Sequence, residues 1–363
     1  RHGIPAIIAS GGGSVINITS NMAAMGVPSR DCYTAAKGGV AALTRSRFPD
    51  LKIPYHSRWR HFEAGGIDRR KQLMAQLAGL DPVSRLRAMI DLTVVSVLLD
   101  AGAGADWEYF EPATDETFNR SEGLGVASFH AFTAGLFSSR KDRPLQADAQ
   151  GLRALSTEHL AQAFQVTDSN PLVGLEGRAV LLRRLGEAMS EQPEVFGEDG
   201  RPAGLFDMII SPLGPEVPPP TADVEAHDIL SQLLATLSGI WPAPNRLGDV
   251  PLGDCWRHPA VRGEGATDGW VPFHKLSQWL TYSLLEPFQW GGVQVRGVDK
   301  LTGLAGHRNG GLMIDSGVLR PLAQEQLETL LPQAGLQLVR GRQGGLQVAF
   351  RHGESGFLAK WQA

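Results

Sequence analysis

The sequence predicts a mainly α fold: a large helical domain with a few short strands, preceded by a β–α fragment of a Rossmann-type fold. Three observations carry this. Apolar residues recur at helical spacing in successive windows between residues 82 and 285. Near the start, the alternating stretch Ser14–Thr19 precedes an Ala- and Gly-rich helical stretch, Tyr33–Arg45. At Phe48-Pro49-Asp50 the composition turns abruptly from small residues to Trp- and Arg-rich sequence. The chain therefore divides into residues 1–46, 47–320 and 321–363. At 363 residues, 42% of them apolar, it can bury a sizeable core.

The elements follow in order. Pro82 and Ser84 open a helix that runs through Leu99 and is stopped by Gly102 and Gly104, the latter pair read as a flexible loop. Ser121 is placed to cap a second helix, with Val126, Phe129 and Phe132 on its apolar face. Ser156 caps a third, with Glu158 behind it and Leu160 facing inward. Leu175–Met189, Ala222–Ile240 and Phe273–Leu285 are further helical windows. Asp168 and Asn170, before Pro171, read as turn and cap residues. The connections are long and rich in Pro and Gly, as loops around an enclosed site often are. In the last segment, Leu336–Val339 and Leu346–Phe350 flank a Gly-rich turn and predict a hairpin.

Bulk properties exclude several classes. A formal charge of −4 argues against a nucleic-acid partner, which usually selects a basic excess. The longest apolar run, Leu92–Leu99, is far short of the roughly 20 residues of a membrane helix. No charged segment leads into an apolar one at the start, so no secretory signal is read. Cys32 and Cys255 are far apart and make no disulfide framework, which suits a reducing compartment and a cytoplasmic location. Arg1 in place of Met fits a fragment, a processed product or an irregular gene reading. Oligomeric state is not legible.

Ser20, Tyr33 and Lys37 lie within GGGSVINITSNMAAMGVPSRDCYTAAKGGVAALTRS. Four residues apart on a helix, Tyr33 and Lys37 share a face, so the ammonium can lower the phenol pKa and make it a general acid. Ser20 can hold a carbonyl. The segment closely resembles the short-chain dehydrogenase/reductases, in strand, spacing and YxxxK signature. In that family a preceding βαβ unit holds the nicotinamide nucleotide. No such unit precedes Ser20 here. In VVSVLLDAGAGADW, the one later stretch like a strand entering GxG, Trp107 stands where the third glycine should be. The triad is accordingly read as vestigial.

From Ile53 onward the chain carries IPYHSRWRHFEAGG, LLDAGAGADW, RSEGLGVASFHAF, FQVTDSNPLVGLEGR, DGWVPFHKLSQWLTYSLLEP and HRNGGLMID. Together these closely resemble the uracil-catabolism protein 4 family, a domain of unknown function, over about residues 50–320. The resemblance implies a role in pyrimidine breakdown through a ribosylated, ring-opened urea. A fainter likeness, in the Lys-x-x-Gln of FHKLSQWL and an Arg-rich loop ending in an acid, is to queuosine-salvage nucleosidases.

Four groups of residues could supply chemistry. His56, Arg58, Arg60 and His61, interleaved with Trp59 and Phe62, could bind a phosphate or carboxylate, Arg doing so bidentately. Equally, they could stack Arg on Trp and pair with Glu63 and Asp68. His56 and His61 lack metal-ligand spacing, so no metal is expected. Asp100, Asp106 and Glu122 sit at helix ends, with Trp107 beside them. N-glycoside cleavage needs a carboxylate beneath the developing cation or one that activates water. Trp270, His274, Lys275, Gln278 and Trp279 set aromatic walls beside amide and ammonium donors, suiting a planar ligand carrying a ribose, or else form core with a snorkelling Lys. Arg308 and Asp315 flank Gly310-Gly311, which permits close backbone approach.

The preferred reading is hydrolysis of an N-ribosyl bond in a ribosylurea-type intermediate of uracil catabolism. Asp100, Asp315 and Glu122 are the catalytic candidates, and Arg58 and Lys275 the foremost binders. The partner is a small molecule, the ribosylated breakdown product, and no cofactor is needed. The alternatives are an NAD(P)-dependent short-chain oxidoreductase and a non-catalytic partner of a uracil-degradation pathway.

Overall fold

A computed structural model describes residues 55–210, 223–241, 245–253, 255–257, 261–271 and 274–301, and the backbone of 336–340, 346–350 and 361–362. The chain divides into two units, residues 1–54 with 299–304, and residues 55–298 with 305–363. The elements below belong to the second. The expected triad Ser20, Tyr33 and Lys37, and Arg308 and Asp315, lie outside the described residues.

Helix α1 (Arg58–His61) is a single turn, and α2 (Arg69–Gln76) follows it with Asp68 accepting from the Lys71 amide. The long helix α3 (Pro82–Leu98) starts as expected: Pro82 takes the first turn, and Asp81 accepts from the Val83 and Ser84 amides at 3.0 Å. Its residues from Ala88 to Leu98 are all buried. A helix apolar all round must be a core helix. The stretch that imitates a strand before GxG is therefore helical, and Trp107 is fully buried with its indole N–H donated to the Phe164 carbonyl at 3.0 Å.

Strands β1 (Glu108–Glu111) and β2 (Glu116–Asn119) form an antiparallel hairpin that the sequence reading missed. It runs directly into α4 (Arg120–Thr133), so Asn119, not Ser121, occupies the cap position. Asn170 takes the expected structural role. Its side-chain amide pairs with the N–H and C=O of Glu108 and with the Gln165 carbonyl, all at 2.8 Å.

Helices α5 (Ala149–Arg153), α6 (Thr157–Ala163), α7 (Leu175–Ser190), α8 (Pro193–Phe196) and α9 (Gly204–Ile210) come next. Ser156 caps α6 as predicted, accepting from the His159 amide at 3.1 Å. The window from Ala222 splits. Asp223–Glu225 is strand β3, and α10 covers Ala226–Leu237. Two short hairpins, β4 (Arg246–Leu247) with β5 (Val250–Pro251) and β6 (Trp256–Arg257) with β7 (Trp270–Val271), precede α11 (Lys275–Trp290). Helix α11 runs beyond the expected Leu285, carrying Pro287 in its last turns. Strand β8 (Gln294–Arg296) pairs parallel with β3. The predicted hairpin is present as β9 (Leu336–Arg340) and β10 (Leu346–Phe350), antiparallel, with β11 (Trp361–Gln362) added beside β10.

The core forms where α3 packs along α11, with α4 and α1 against α3, and α7 along α5. Two buried ion pairs bind this frame. Asp91, midway along α3, accepts from Arg201 at 2.7 and 2.9 Å and from the Ala147 and Ala203 amides at 3.2 and 2.9 Å. Burial pushes its carboxyl up to about 6, against the pull of Arg201. Arg69 pairs with Glu111, which also meets His130 and Thr114. Burial raises the Glu111 carboxyl, but hydrogen bonds from Arg69, His130 and Thr114 outweigh it and hold it at about 2.

Candidate functional site

Three elements meet around Arg58: α1, the end of α3 and α11. The meeting is possible because α4 can approach α1 closely. A Cβ on Gly125 would lie 2.8 Å from His61 Cβ, closer than packing allows. From α11, the Ser283 hydroxyl accepts from the Arg58 amide at 3.0 Å, and Glu286 accepts from the Ser57 hydroxyl.

Arg58 is fully buried. Its Nε donates to Ser96 at 2.7 Å. Its Nη1 has three neighbours: His61 Nδ1 at 2.9 Å, the Ser121 carbonyl at 3.1 Å and Asp100 Oδ1 at 3.2 Å. A guanidinium nitrogen at that position carries two hydrogens. They go to His61 and Ser121, and Asp100 Oδ1 is a buried ion-pair partner outside hydrogen-bond geometry. Arg58 Nη2 is also buried with no acceptor. Burial lowers the Arg58 pKa, while Asp100 and then Glu122 raise it.

Arg178 positions the carboxylate. This buried side chain on α7 donates to the carbonyls of Leu99 at 3.0 Å, Ala101 at 2.9 Å and Gly102 at 3.2 Å, and to Val173. The loop that carries Asp100, expected to be flexible, is thus tied at both sides of that residue. Burial pulls the Arg178 guanidinium down to about 10, with Asp100 opposing. Arg178 is a functional residue that sequence reasoning missed. An Arg three residues into a helix gives no local sign of reaching back to residues 99–102.

His61 and Trp279 complete the cluster. Their ring centroids are 5.6 Å apart, and the exposed His56 lies 4.8 Å from Trp279. Burial, then the Arg58 cation, lowers the His61 pKa to about 4, so the ring is neutral near pH 7. Trp279 is 7% exposed, and its indole Nε1 has no acceptor.

The cations of the expected anion site are already paired with carboxylates. Arg58 faces Asp100, Arg60 pairs with Glu63 at 2.7 Å and Glu286 at 2.8 Å, and His61 is neutral. The alternative of Arg–Trp stacking is seen next door, where Arg70 lies 3.8 Å over the Trp290 ring, which meets Trp59 edge-on.

The structure brings together His56, Arg58, Asp100 and Trp279 of the sequence candidates, with Glu122 near enough to act on Arg58 electrostatically. It does not bring in Trp107, which is core, nor does it give Asp106, exposed on its loop, any recorded partner in the cluster. Lys275 is exposed in the first turn of α11, and His274 precedes it in a left-handed conformation, φ 44°. Gln278 is buried, its backbone N–H donated to the His274 carbonyl at 2.7 Å. Trp270 lies beneath Arg257 at 4.7 Å, in the β6–β7 hairpin. Among the described residues no group of His, Cys, Asp and Glu could hold a metal ion, and no helix is long and apolar enough to cross a membrane.

Comparison with known proteins adds the following. A family profile described as protein of unknown function (DUF1688) matches residues 28–344. A short chain dehydrogenase profile matches residues 1–53. The chain is 41% identical over 279 residues to uracil catabolism protein 4 of Lachancea kluyveri, covering 74% of this chain and 63% of that protein. It is 42% identical over 274 residues to protein urg3 of Schizosaccharomyces pombe, covering 74% of this chain and 62% of that protein. The chain thus spans less than two thirds of the length of these relatives.

Proposed function

Starting from the fact that the chain belongs to the DUF1688 family of proteins of unknown function, we propose that its helical body acts in uracil catabolism by hydrolysing an N-ribosyl bond in a ribosylurea-type intermediate. The observation that supports this reading is the Asp100 carboxylate: half-buried, on a loop fixed by Arg178, paired with Arg58, and with a buried oxygen that has no hydrogen to accept. Such a group can accept a proton from water or stabilise positive charge.

The step balances without a redox partner. The bond between the ribose anomeric carbon and the urea nitrogen breaks as water oxygen bonds to that carbon. Asp100 takes one water proton and passes it to the departing nitrogen. Positive charge builds on the sugar ring in the transition state, and the carboxylate stabilises it. Arg58 pairs with Asp100 at 3.2 Å, and Trp279 with His56 offers faces for the planar ureido group.

The test is incubation with ribosylurea, and separately with its 5-phosphate, followed by assay of urea. Release of urea by the wild-type chain, reduced in Asp100→Asn, is expected. No urea from either compound would overturn the reading.

A further inference from the structure

The proposal here deepens the reading above and rests on it for the identity of the probe, though its own evidence is independent. Arg58, His61 and Trp279 form a continuous chain of contacts, through 2.9 Å between Arg58 Nη1 and His61 Nδ1 and 5.6 Å between the His61 and Trp279 rings. A guanidinium can only donate. His61 Nδ1 must therefore accept, and the neutral imidazole carries its hydrogen on Nε2. Beside it, Arg58 Nη2 and Trp279 Nε1 are buried without a hydrogen-bond partner. Arg58 is fully buried and Trp279 nearly so.

Buried donors left without acceptors are costly, at about 1–3 kcal/mol each, and persist where a ligand supplies the acceptor. Three N–H donors on adjoining side chains select an oxygen acceptor. Charge then narrows its kind. The cation on Arg58 is already faced by Asp100, with Glu122 near enough to act on it, and His61 is uncharged, so Arg58 is not a free cation for a phosphate or carboxylate. Asp100 Oδ1, beside Arg58, is a buried acceptor without a hydrogen bond and needs an N–H or O–H from the ligand.

We infer that Arg58 Nη2, His61 Nε2 and Trp279 Nε1 form a donor subsite for an uncharged carbonyl, the C=O of a ureido or amide group whose own N–H faces Asp100. This makes His61 a binding residue, and makes Arg58 the residue that sets its tautomer.

The experiment follows the Trp279 indole N–H resonance in the 15N-labelled wild-type chain, assigned from the wild-type spectrum. Three probes are added in turn: ribosylurea, ribose and inorganic phosphate. A downfield shift with ribosylurea, absent with ribose and phosphate, is expected. A Trp279 resonance unmoved by ribosylurea, or moved as far by phosphate, overturns the proposal. Trp279→Phe keeps a ring and removes the donor; a rise of about tenfold in the ribosylurea dissociation constant is expected, and an unchanged constant overturns the proposal. The two readings fail separately. A Trp279 shift without urea release sinks the hydrolysis reading alone. Urea release with an unchanged KM in folded Trp279→Phe sinks the subsite alone.

Discussion

Asp100 Oδ1 lies 3.2 Å from Arg58 Nη1, yet both hydrogens of that nitrogen are already given to His61 and Ser121. The carboxylate is close to a cation without being capped by it, which leaves its oxygen able to accept a proton. Asp100→Asn keeps the shape and removes the proposed base. The expected outcome is a fall in kcat/KM of about a hundredfold or more, the usual scale for a lost acid–base group. Steady-state urea release, with a thermal melt to show that the variant folds, measures it.

Arg178→Met removes the donors to the carbonyls of Leu99, Ala101, Gly102 and Val173 while keeping the aliphatic stem. Leaving those carbonyls without partners is expected to cost about 3 kcal/mol. Denaturant unfolding reads the stability. Because the loop holds Asp100, kcat should fall more than KM rises.

Gly125→Ala places a methyl where His61 Cβ and backbone now stand. The expected result is a loss of about 1–3 kcal/mol from overpacking. The His61 ring should also move away from Arg58. Long-range 1H–15N spectra would then show His61 titrating closer to its ordinary 6.5 rather than at about 4.

Stability should depend on pH in two opposed ways. His61 is depressed from 6.5 to about 4, so only the unfolded chain gains its proton in that window, and stability falls on acidification through it. Glu111, depressed from 4.5 to about 2, extends the loss to lower pH. Asp91 is raised from 3.8 to about 6, so there the folded chain holds the proton and stability rises on acidification. Asp91→Asn should therefore lose stability more steeply than wild type between pH 6 and about 4, in urea melts taken across that range.

NADP is expected not to bind. A ligand at a hundred times its dissociation constant stabilises a protein by about 2.7 kcal/mol, which a thermal shift detects readily. A rise in Tm with NADP would instead favour the oxidoreductase alternative that the match over residues 1–53 brings with it.

Much of the fold is written in local pattern. Asp81-Pro82 and Ser156 carry their own helix starts, and the apolar density of α3 announces a buried helix. What failed depended on distant partners. Residues 223–225 became a strand because 294–296 lies beside them, and α11 continued past Leu285 because packing outweighed the cost of Pro287. In the site, Arg58, Asp100 and Trp279 were legible as residue types with unsettled roles. Their neutralised charge was not, since it follows from pairings between α1, α3 and α11. Arg178 was missed for the same reason.

The hydrogen bond from Ser57 to Glu286 spans 229 positions of chain, and that from Arg58 to Ser283 spans 225. Contacts so remote in sequence are slow to close, because a long stretch must first be ordered. The proposed urea release should then be the last property regained on refolding, lagging behind recovery of helical ellipticity. A cut anywhere between those two segments would make its persistence a matter of how tightly the two pieces hold each other.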